Sequence, residues 1–254
     1  MNISGNTIFI PGATSGIGLA LARKLAQKGN TIIVGGRRQE ILDEVTAAQP
    51  QIGAVQIDTG DPASIAGAAR DVLKRYPSLN VIIAMAGIMR IEDWRRPESF
   101  VSSAEEVINT NLLGPIRLLG AFIEHLQRQE DSTFVSVSSG LAFAPFKGVP
   151  SYNASKAAIH MLTESLRLQL ADTTVRFVEL EPPAVATDLL PGQRDDPSAM
   201  PLDDFIDEVV GIIEHQPDVR EIQVERVKFL RYAEARGDYD AVVAALNGLP
   251  RSTE

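Results

Sequence analysis

The 254-residue sequence predicts an α/β fold of one domain, a doubly wound parallel sheet of about seven strands with helices on both faces. Three observations carry that prediction. Short apolar runs recur along the chain, separated by segments whose apolar residues fall at helical spacing. The runs are apolar throughout, as strands covered on both faces are. A glycine-rich turn joins the first run to the first helical segment.

Thr7–Pro11 (TIFIP) is β-branched and apolar and reads as a buried strand. Residues 17–28 carry Ile17, Leu21 and Leu25 on one helical face and stop at Gly29, a residue suited to a helix C-terminus. Residues 31–34 form the second strand. A helix over 39–48 ends before Pro50. Residues 53–57 are the third strand. Asp61-Pro62 supplies a cap and a first-turn proline for a helix over 62–76. Residues 81–85 are the fourth strand. One long helix is expected over 102–129, with an interruption near Gly114-Pro115. The fifth strand is 132–137. A clear helix covers 151–170, and the sixth strand is 174–180. The tail, 219–249, offers a last strand over 221–224 and an amphipathic helix over 227–235, which cover the core or serve oligomer contact.

Composition removes several function classes. The net charge is −9, with no basic stripe, so nucleic acid is not an expected partner. No run of 18 apolar residues offers a membrane span. Residues 1–7 lack a basic segment and a cleavage pattern, so no signal peptide is expected. Cysteine is absent, which excludes disulfides and thiolate metal sites and fits a cytoplasmic protein. His125, His160 and His215 are far apart and fit no metal spacing, so no metal is expected and they read as surface or helix-face residues.

The turn after the first strand is Gly12-Ala13-Thr14-Ser15-Gly16-Ile17-Gly18. Gly12 permits the tight turn, Gly16 lets the backbone approach a pyrophosphate, and Gly18 allows close helix–strand packing. The helix start then offers free N–H groups to phosphates. Gly12, Thr14, Ser15, Gly16, Ile17 and Gly18 are therefore the candidate cradle of a dinucleotide in a Rossmann fold. The spacing alone is a weak signal; its place at a strand-to-helix junction strengthens it. The second strand ends in Gly35-Gly36-Arg37-Arg38, where an NAD site usually carries a carboxylate for the ribose hydroxyls. Two guanidinium groups suit a 2′-phosphate instead, so NADP(H) is expected over NAD(H). Asp58, ending the third strand, faces the adenine edge or serves as a turn residue before Asp61-Pro62.

Tyr152 and Lys156 stand four apart on a predicted helix and share a face. A phenol is a poor acid–base group at neutral pH unless its pKa falls from about 10. An ammonium about 4 Å away contributes about 4 kcal/mol at an effective dielectric of 20, or roughly three pK units. Ser139 lies at the end of the fifth strand, where an open sheet lines its ligand crevice, and can hold a substrate oxygen. Ser138 competes with it, and Ser136 is a weaker choice. Asn111 is an amide inside an apolar helix, which needs a partner or a role. It is a candidate for carrying a water and a proton path to Lys156, with a locally satisfied kink as the plainer account.

Taken together, these residues resemble the classical short-chain dehydrogenase/reductase (SDR) family, from Thr7 to about Leu190 and more loosely beyond. The matching pieces, in order, are Gly12–Gly18, Asp58, Ala86-Gly87, Asn111, Ser139, Tyr152-x-x-x-Lys156 and Pro182–Thr187. The resemblance implies a Ser139–Tyr152–Lys156 trio with Asn111 as its fourth member. Tyr152 would be the acid/base, Lys156 would lower its pKa and bind the nicotinamide ribose, and Ser139 would orient the substrate oxygen. Ala86 and Gly87 would lie along the cofactor, and Val185 and Thr187 would contact the carboxamide. Family members are commonly dimers or tetramers. Three positions depart from the family pattern. Pro11 replaces a threonine, Ala84-Met85-Ala86-Gly87 replaces Asn-Asn-Ala-Gly, and Pro182-Pro183 replaces Pro-Gly. The lost amides are expected to cost loop hydrogen bonds, and the second proline stiffens a turn and removes a donor.

The expected activity is reversible hydride transfer between NADP(H) and a carbonyl or secondary alcohol substrate. Residues 188–215 form the expected substrate-binding loop and helix, with 188–204 closing over the ligand. Leu189, Leu190, Met200, Phe205, Phe143 and Phe146 suggest an apolar pocket, and Trp94 either lines its mouth or plugs a loop. The acidic run at 203–208 reads as a solvated helix start. The altered residues 84–85 and 182–183 motivate an alternative, an NADP(H)-binding sensor or scaffold without turnover.

Overall fold

The computed structural model describes residues 1–249, in which seven parallel strands form one sheet. They are β1 (Thr7–Pro11), β2 (Thr31–Gly36), β3 (Ile52–Gln56), β4 (Val81–Ala84), β5 (Ser132–Val137), β6 (Val175–Leu180) and β7 (Glu221–Ile222). Their spatial order is β3-β2-β1-β4-β5-β6-β7. The chain winds outward from β1 to β3, then returns to build the other half from β4. The order therefore reverses between β1 and β4, and a crevice opens at the carboxyl ends of those strands.

Side chains alternate between two buried faces, as the period of two requires. Ile8 and Ile10 face one core with Val34, Val178 and Leu180, covered by α1 (Gly16–Gln27), α2 (Gln39–Ala48) and α7 (Leu202–His215). Phe9, Ile33, Ile82, Phe134 and Phe177 face the other, covered by α3 (Pro62–Arg75), α5 (Gly114–Leu126) and the far end of α6 (Pro150–Gln169). Each fully buried side chain of this kind contributes about 1.5–3 kcal/mol over its exposed state. The continuous apolar strands follow from there being two faces to fill. Asp61 caps α3, its carboxylate accepting from the Ala63 N–H at 2.9 Å, with Pro62 in the first turn. Among the described residues, no helix is long and apolar enough to cross a membrane.

Two expectations change. The helix expected over 102–129, with an interruption near Gly114-Pro115, is two helices that start earlier and break just before Gly114. α4 runs Pro97–Ile108, a π-helical turn occupies Asn109–Leu113, and α5 follows. The apolar period runs through Val107, Leu118, Phe122 and Leu126 without a break, so periodicity cannot reveal the extra residue per turn. The tail holds the two-residue β7, a 3₁₀ turn at Glu225–Val227, two single-turn helices, α8 (Lys228–Arg231) and α9 (Ala233–Arg236), and a terminal α10 (Tyr239–Asn247). Val224, Val227, Ala233 and Val242 are buried, so the tail covers the core. Asp203 and Asp204 fall in the first turn of α7, where the helix dipole favours them.

Candidate active site

The glycine loop lies at the crevice. Gly12 has φ of +90°, and a Cβ there would stand 2.5 Å from the Ala86 backbone. A Cβ on Gly18 would stand 2.6 Å from the Gly12 carbonyl oxygen. Only glycine lets the loop press on β4's exit and α1 press on the loop. Ser15 precedes α1 in an extended conformation without a side-chain cap, and the first turn carries no acid. The helix N-terminus therefore presents free N–H groups and a positive dipole end to the crevice. A phosphate-bearing dinucleotide fits this cradle.

The crevice encloses about 390 Å³. Gly12, Thr14, Ser15, Gly16, Ile17, Gly18, Arg37, Arg38, Asp58, Ala86, Gly87, Ser139, Tyr152, Lys156, Val185 and Thr187 all line it. Arg37 and Arg38 are exposed at its rim. Asp58 borders the crevice, and its carboxylate accepts from the Gly60 N–H at 2.9 Å, the contact of a turn residue.

Asn111 lies outside the lining. It is buried in the π turn, where its Oδ1 accepts from the Ile88 N–H at 2.9 Å. Its Nδ2 donates to the Ile88 carbonyl at 2.9 Å and to Ser155 Oγ at 3.2 Å. The π turn sets the amide between the segment after β4 and α6. Asn111 thus ties the segment after β4 to α6, beside Lys156: a Cβ on Gly87 would lie 3.5 Å from its Oδ1 and 3.8 Å from Lys156 Nζ. Of the serines, Ser136 is taken up by Thr163, 2.6 Å away. Ser138 and Ser139 both line the crevice, and Ser138 Oγ is buried without a hydrogen-bond partner. Ser139 Oγ accepts from the Leu141 N–H at 3.1 Å and donates to the Pro182 carbonyl at 3.5 Å.

The electrostatics of the Tyr152–Lys156 pair differ from expectation. Lys156 Nζ donates to the Val137 carbonyl at 2.7 Å and sits 5.5 Å from the centroid of the Tyr152 ring. The shared helix face brings the two together, but the ammonium turns to the carbonyl. Burial then dominates both groups. It pushes the phenol up to about 12, against a smaller opposing effect of Ser139. It pulls the ammonium down to about 8, opposed in part by the negative charge of Glu179.

The anticipated apolar pocket also changes membership. Leu189 lines the crevice, while Leu190 and Phe146 pack in the cluster that holds Tyr152. Phe205 and Met200 belong to the core on the α7 side. Phe143 packs edge-on against His160 and under the Arg231 guanidinium. Trp94 stacks on Phe100 with centroids 4.4 Å apart, 51% exposed, so it plugs its loop. Met85 packs into the core at the foot of α1, and the Pro182 carbonyl accepts from Gly140 N–H at 3.0 Å.

Several charged groups near the site escaped the sequence reading. Glu92 is buried and accepts from Trp94 Nε1 and Ser103 Oγ, each at 2.9 Å, and from the Ser151 N–H at 3.2 Å. It fastens the loop after β4 to the start of α6, one residue before Tyr152. Glu179 on β6 and Glu181 just past its end alternate with Val178 and Leu180, and both are fully buried. His160 is no simple surface residue, because its Nδ1 meets the Glu179 carboxylate at 2.9 Å. His160, Glu179, Glu181 and Glu221 bring their ligand-type atoms within 4.8 Å of one another. Arg231 supplies positive charge there, 3.5 Å from Glu181 and 3.4 Å from Glu221. The one signal available was Glu179 within, and Glu181 just after, a strand whose other residues are apolar but for Arg176.

Glu181 has a measurable consequence. Burial, then the charge of Glu179, raises its pKa from 4.5 to about 7. A carboxyl whose folded pKa lies above its unfolded value holds a proton in the native state that the unfolded chain releases. Stability therefore falls as pH rises from 4.5 to about 7, and the full cost, on the order of 3 kcal/mol, applies above that window. Glu181→Gln is expected to raise unfolding stability at pH 8 by up to about 3 kcal/mol and to leave it unchanged near pH 4. Urea unfolding at the two pH values checks this, and an equal effect at both would refute it.

The comparisons with known proteins agree with this geometry. A family model described as short chain dehydrogenase matches residues 6–198. An uncharacterized oxidoreductase, DltE, of Bacillus subtilis is 36% identical, over 97% of this chain and 98% of that protein. A short chain dehydrogenase from Burkholderia cenocepacia, solved in complex with NADP, superposes with a TM-score of 0.80 at 25% identity, covering 96% of this chain and 99% of that one. An alcohol dehydrogenase from Thermococcus sibiricus, complexed with 5-hydroxy-NADP, does so at 0.75 and 26%, covering 87% and 96%. The chain belongs to the short chain dehydrogenase family.

Proposed function

We propose that this protein is an NADP(H)-dependent oxidoreductase that interconverts a ketone or aldehyde and the corresponding alcohol. The observation that carries the reading is one crevice that holds Tyr152 and Lys156 at one end and a free helix N-terminus with Arg37 and Arg38 at the other. The nicotinamide, when bound, supplies or takes up the hydride. Thr14, Ser15, Gly16 and Ile17 present backbone N–H groups to the pyrophosphate, and Gly12 and Gly18 keep the cradle closed behind it. Arg37 and Arg38 hold the 2′-phosphate, and Asp58 borders the adenine. Ala86 and Gly87 give the cofactor a flat floor, and Val185 and Thr187 meet the carboxamide.

Tyr152 acts as the acid in the reductive direction. A buried phenol with a pKa of about 12 is protonated at neutral pH, so the form that gives a proton to the developing alkoxide is the form present. Ser139 holds the substrate oxygen toward that hydroxyl. Lys156 holds the nicotinamide ribose and places positive charge beside the phenolate that forms. Asn111 keeps the segment at Ile88 and helix α6 in register and, with a bound water, completes the proton path to Lys156. Residues 188–215 cover the substrate. Gln193 supports that role, its Nε2 donating to the Val185 carbonyl at 2.7 Å and so anchoring the loop beside the crevice.

The chain works as a homodimer or homotetramer, as the family suggests. Exposed Ile116, Met161 and Leu168 on α5 and α6 give such an interface apolar surface. A panel of ketones and aldehydes with NADPH tests the activity. Oxidation of NADPH with at least one carbonyl is the expected result. Tight NADPH binding without oxidation across a broad panel would make the protein a cofactor-binding sensor or scaffold instead.

A further inference from the structure

The segment between Ser139 and Tyr152 belongs to two different clusters. Ala144, with no solvent exposure, packs with Ala233 and Val242 of the tail. Two residues on, Phe146 packs against the cluster of Met89, Val107, Val149 and Tyr152, as Leu190 does. The chain therefore crosses from the tail to the active centre between residues 144 and 146. Helix α10 grips the backbone at that crossing. Asn247 Oδ1 accepts from the Lys147 N–H at 2.6 Å, and its Nδ2 donates to the Pro145 carbonyl at 2.9 Å. One side-chain amide thus pairs with the carbonyl before Phe146 and the N–H after it, as a residue of a parallel strand would.

The amide is fully used and held firmly. Its second N–H goes to the Val243 carbonyl at 2.8 Å, one turn back in α10, and the residue is buried. Lys147 returns the contact: its Nζ donates to the Asn247 carbonyl at 2.9 Å, at a helix C-terminus, where a cation is favoured. The active-site side holds the same segment at other atoms. The Phe146 carbonyl accepts from Asn153 Nδ2 at 2.9 Å, and the Gly148 carbonyl accepts from the Glu92 N–H at 3.0 Å. Those two bonds leave the Pro145 carbonyl and the Lys147 N–H to the tail. Pro145 and Lys147 are themselves exposed, so water can take over both groups when the amide is removed. Loss of the amide therefore loosens the loop and leaves the fold in place.

We propose that Asn247 is a positioning residue that sets substrate size: from the C-terminal helix it fixes residues 145–147, and through them the place of the Phe146 ring beside Tyr152. The ring bounds the space that a substrate's carbon chain enters past the Tyr152 hydroxyl. Leu190, packed against the same cluster, directly follows Leu189 of the crevice lining, so ring and covering segment meet at that end. With the ring held in, short carbonyl compounds fit and long ones are disfavoured. This size selection rests on the proposed oxidoreductase reading, whereas the grip of Asn247 on the loop does not.

Two readouts on the full chain test it. Amide hydrogen exchange over residues 144–149 reads the grip, and Asn247→Ala is expected to speed it about tenfold or more. The ratio of kcat/KM for 2-decanone to that for 2-butanone, with NADPH, reads the selection. Asn247→Ala is expected to raise that ratio about fivefold or more, with NADPH affinity within about twofold of wild type. Val45→Ala, which opens a cavity under α2 far from the loop, serves as the control for lost stability and is expected to move neither readout. Should Asn247→Ala fail to fold, Asn247→Asp keeps the volume and the acceptor, loses both donated bonds, and is expected to move both readouts in the same direction. Unchanged exchange over 144–149 in whichever of these variants folds overturns the proposal. A loosened loop with an unchanged ratio, or with a ratio shifted toward 2-butanone, overturns the size selection, as does an equal change of ratio in Val45→Ala. A wild type that reduces no carbonyl counts against the oxidoreductase reading and takes the size selection with it, while the exchange result still decides the grip.

Discussion

Tyr152→Phe is expected to lower kcat for carbonyl reduction about 10³-fold, within the range a positioned general acid supplies, while NADPH affinity changes by less than about tenfold. The asymmetry follows from where the hydroxyl sits. The ring packs with Met89, Val107 and Val149, so phenylalanine fills the same space and α6 keeps its place. The hydroxyl is buried and its ionisation is suppressed by burial, so its loss removes a proton donor that water replaces poorly in that position. Stability should change little, because the substitution removes a desolvated hydroxyl and keeps the ring that fills the space. Steady-state kinetics with a fluorescence titration of NADPH checks both halves. A variant that retains wild-type kcat would remove Tyr152 from the chemistry. A variant that loses cofactor affinity in proportion to activity would recast it as a binding residue.

That prediction rests on a pair whose identity was legible in the sequence and whose geometry was not. Spacing of four puts Tyr152 and Lys156 on one face of α6, and the structure keeps them there. Spacing says nothing about where a flexible four-carbon amine points, and it points at Val137. The same division runs through the molecule. β1, β2, β4 and β5 could be read because apolar runs of that length have few other uses in a chain with two faces to cover. The interruption expected near Gly114-Pro115 could not be read as a π turn around Asn111, because that turn inserts a residue without disturbing the order of apolar side chains. Motif residues near the crevice were legible because loop and strand-end chemistry is local. Glu92, 59 residues from Ser151, and Glu179, 19 residues from His160, become functional neighbours only through sheet register and helix packing. An acid in an apolar strand marks such a position, but its partner lies on another element and no local pattern names it.

The cofactor preference is the second large effect, and it depends on two exposed side chains. Arg37 and Arg38 follow the end of β2 and border the crevice, and among the described residues no salt bridge joins either to a carboxylate. A 2′-phosphate there would gain charge-assisted hydrogen bonds, each worth about 1.5–3 kcal/mol. No acid follows β2 at the position where ribose hydroxyls are usually held. Arg37→Ala combined with Arg38→Ala is therefore expected to weaken NADPH binding by about 100-fold and NADH binding by no more than about threefold. The arginines lie at the rim in water, so the contribution is screened by salt. NADPH affinity of the wild type should fall with ionic strength more steeply than NADH affinity, and the double variant should lose that difference. Fluorescence titrations of both cofactors at low and high salt separate the outcomes. Equal losses for NADPH and NADH would mean that the arginines hold a part common to both, such as the adenine or the pyrophosphate. Unchanged NADPH affinity would place the 2′-phosphate away from β2 altogether, and Asp58, just past the end of β3, would then become the residue that selects the ribose.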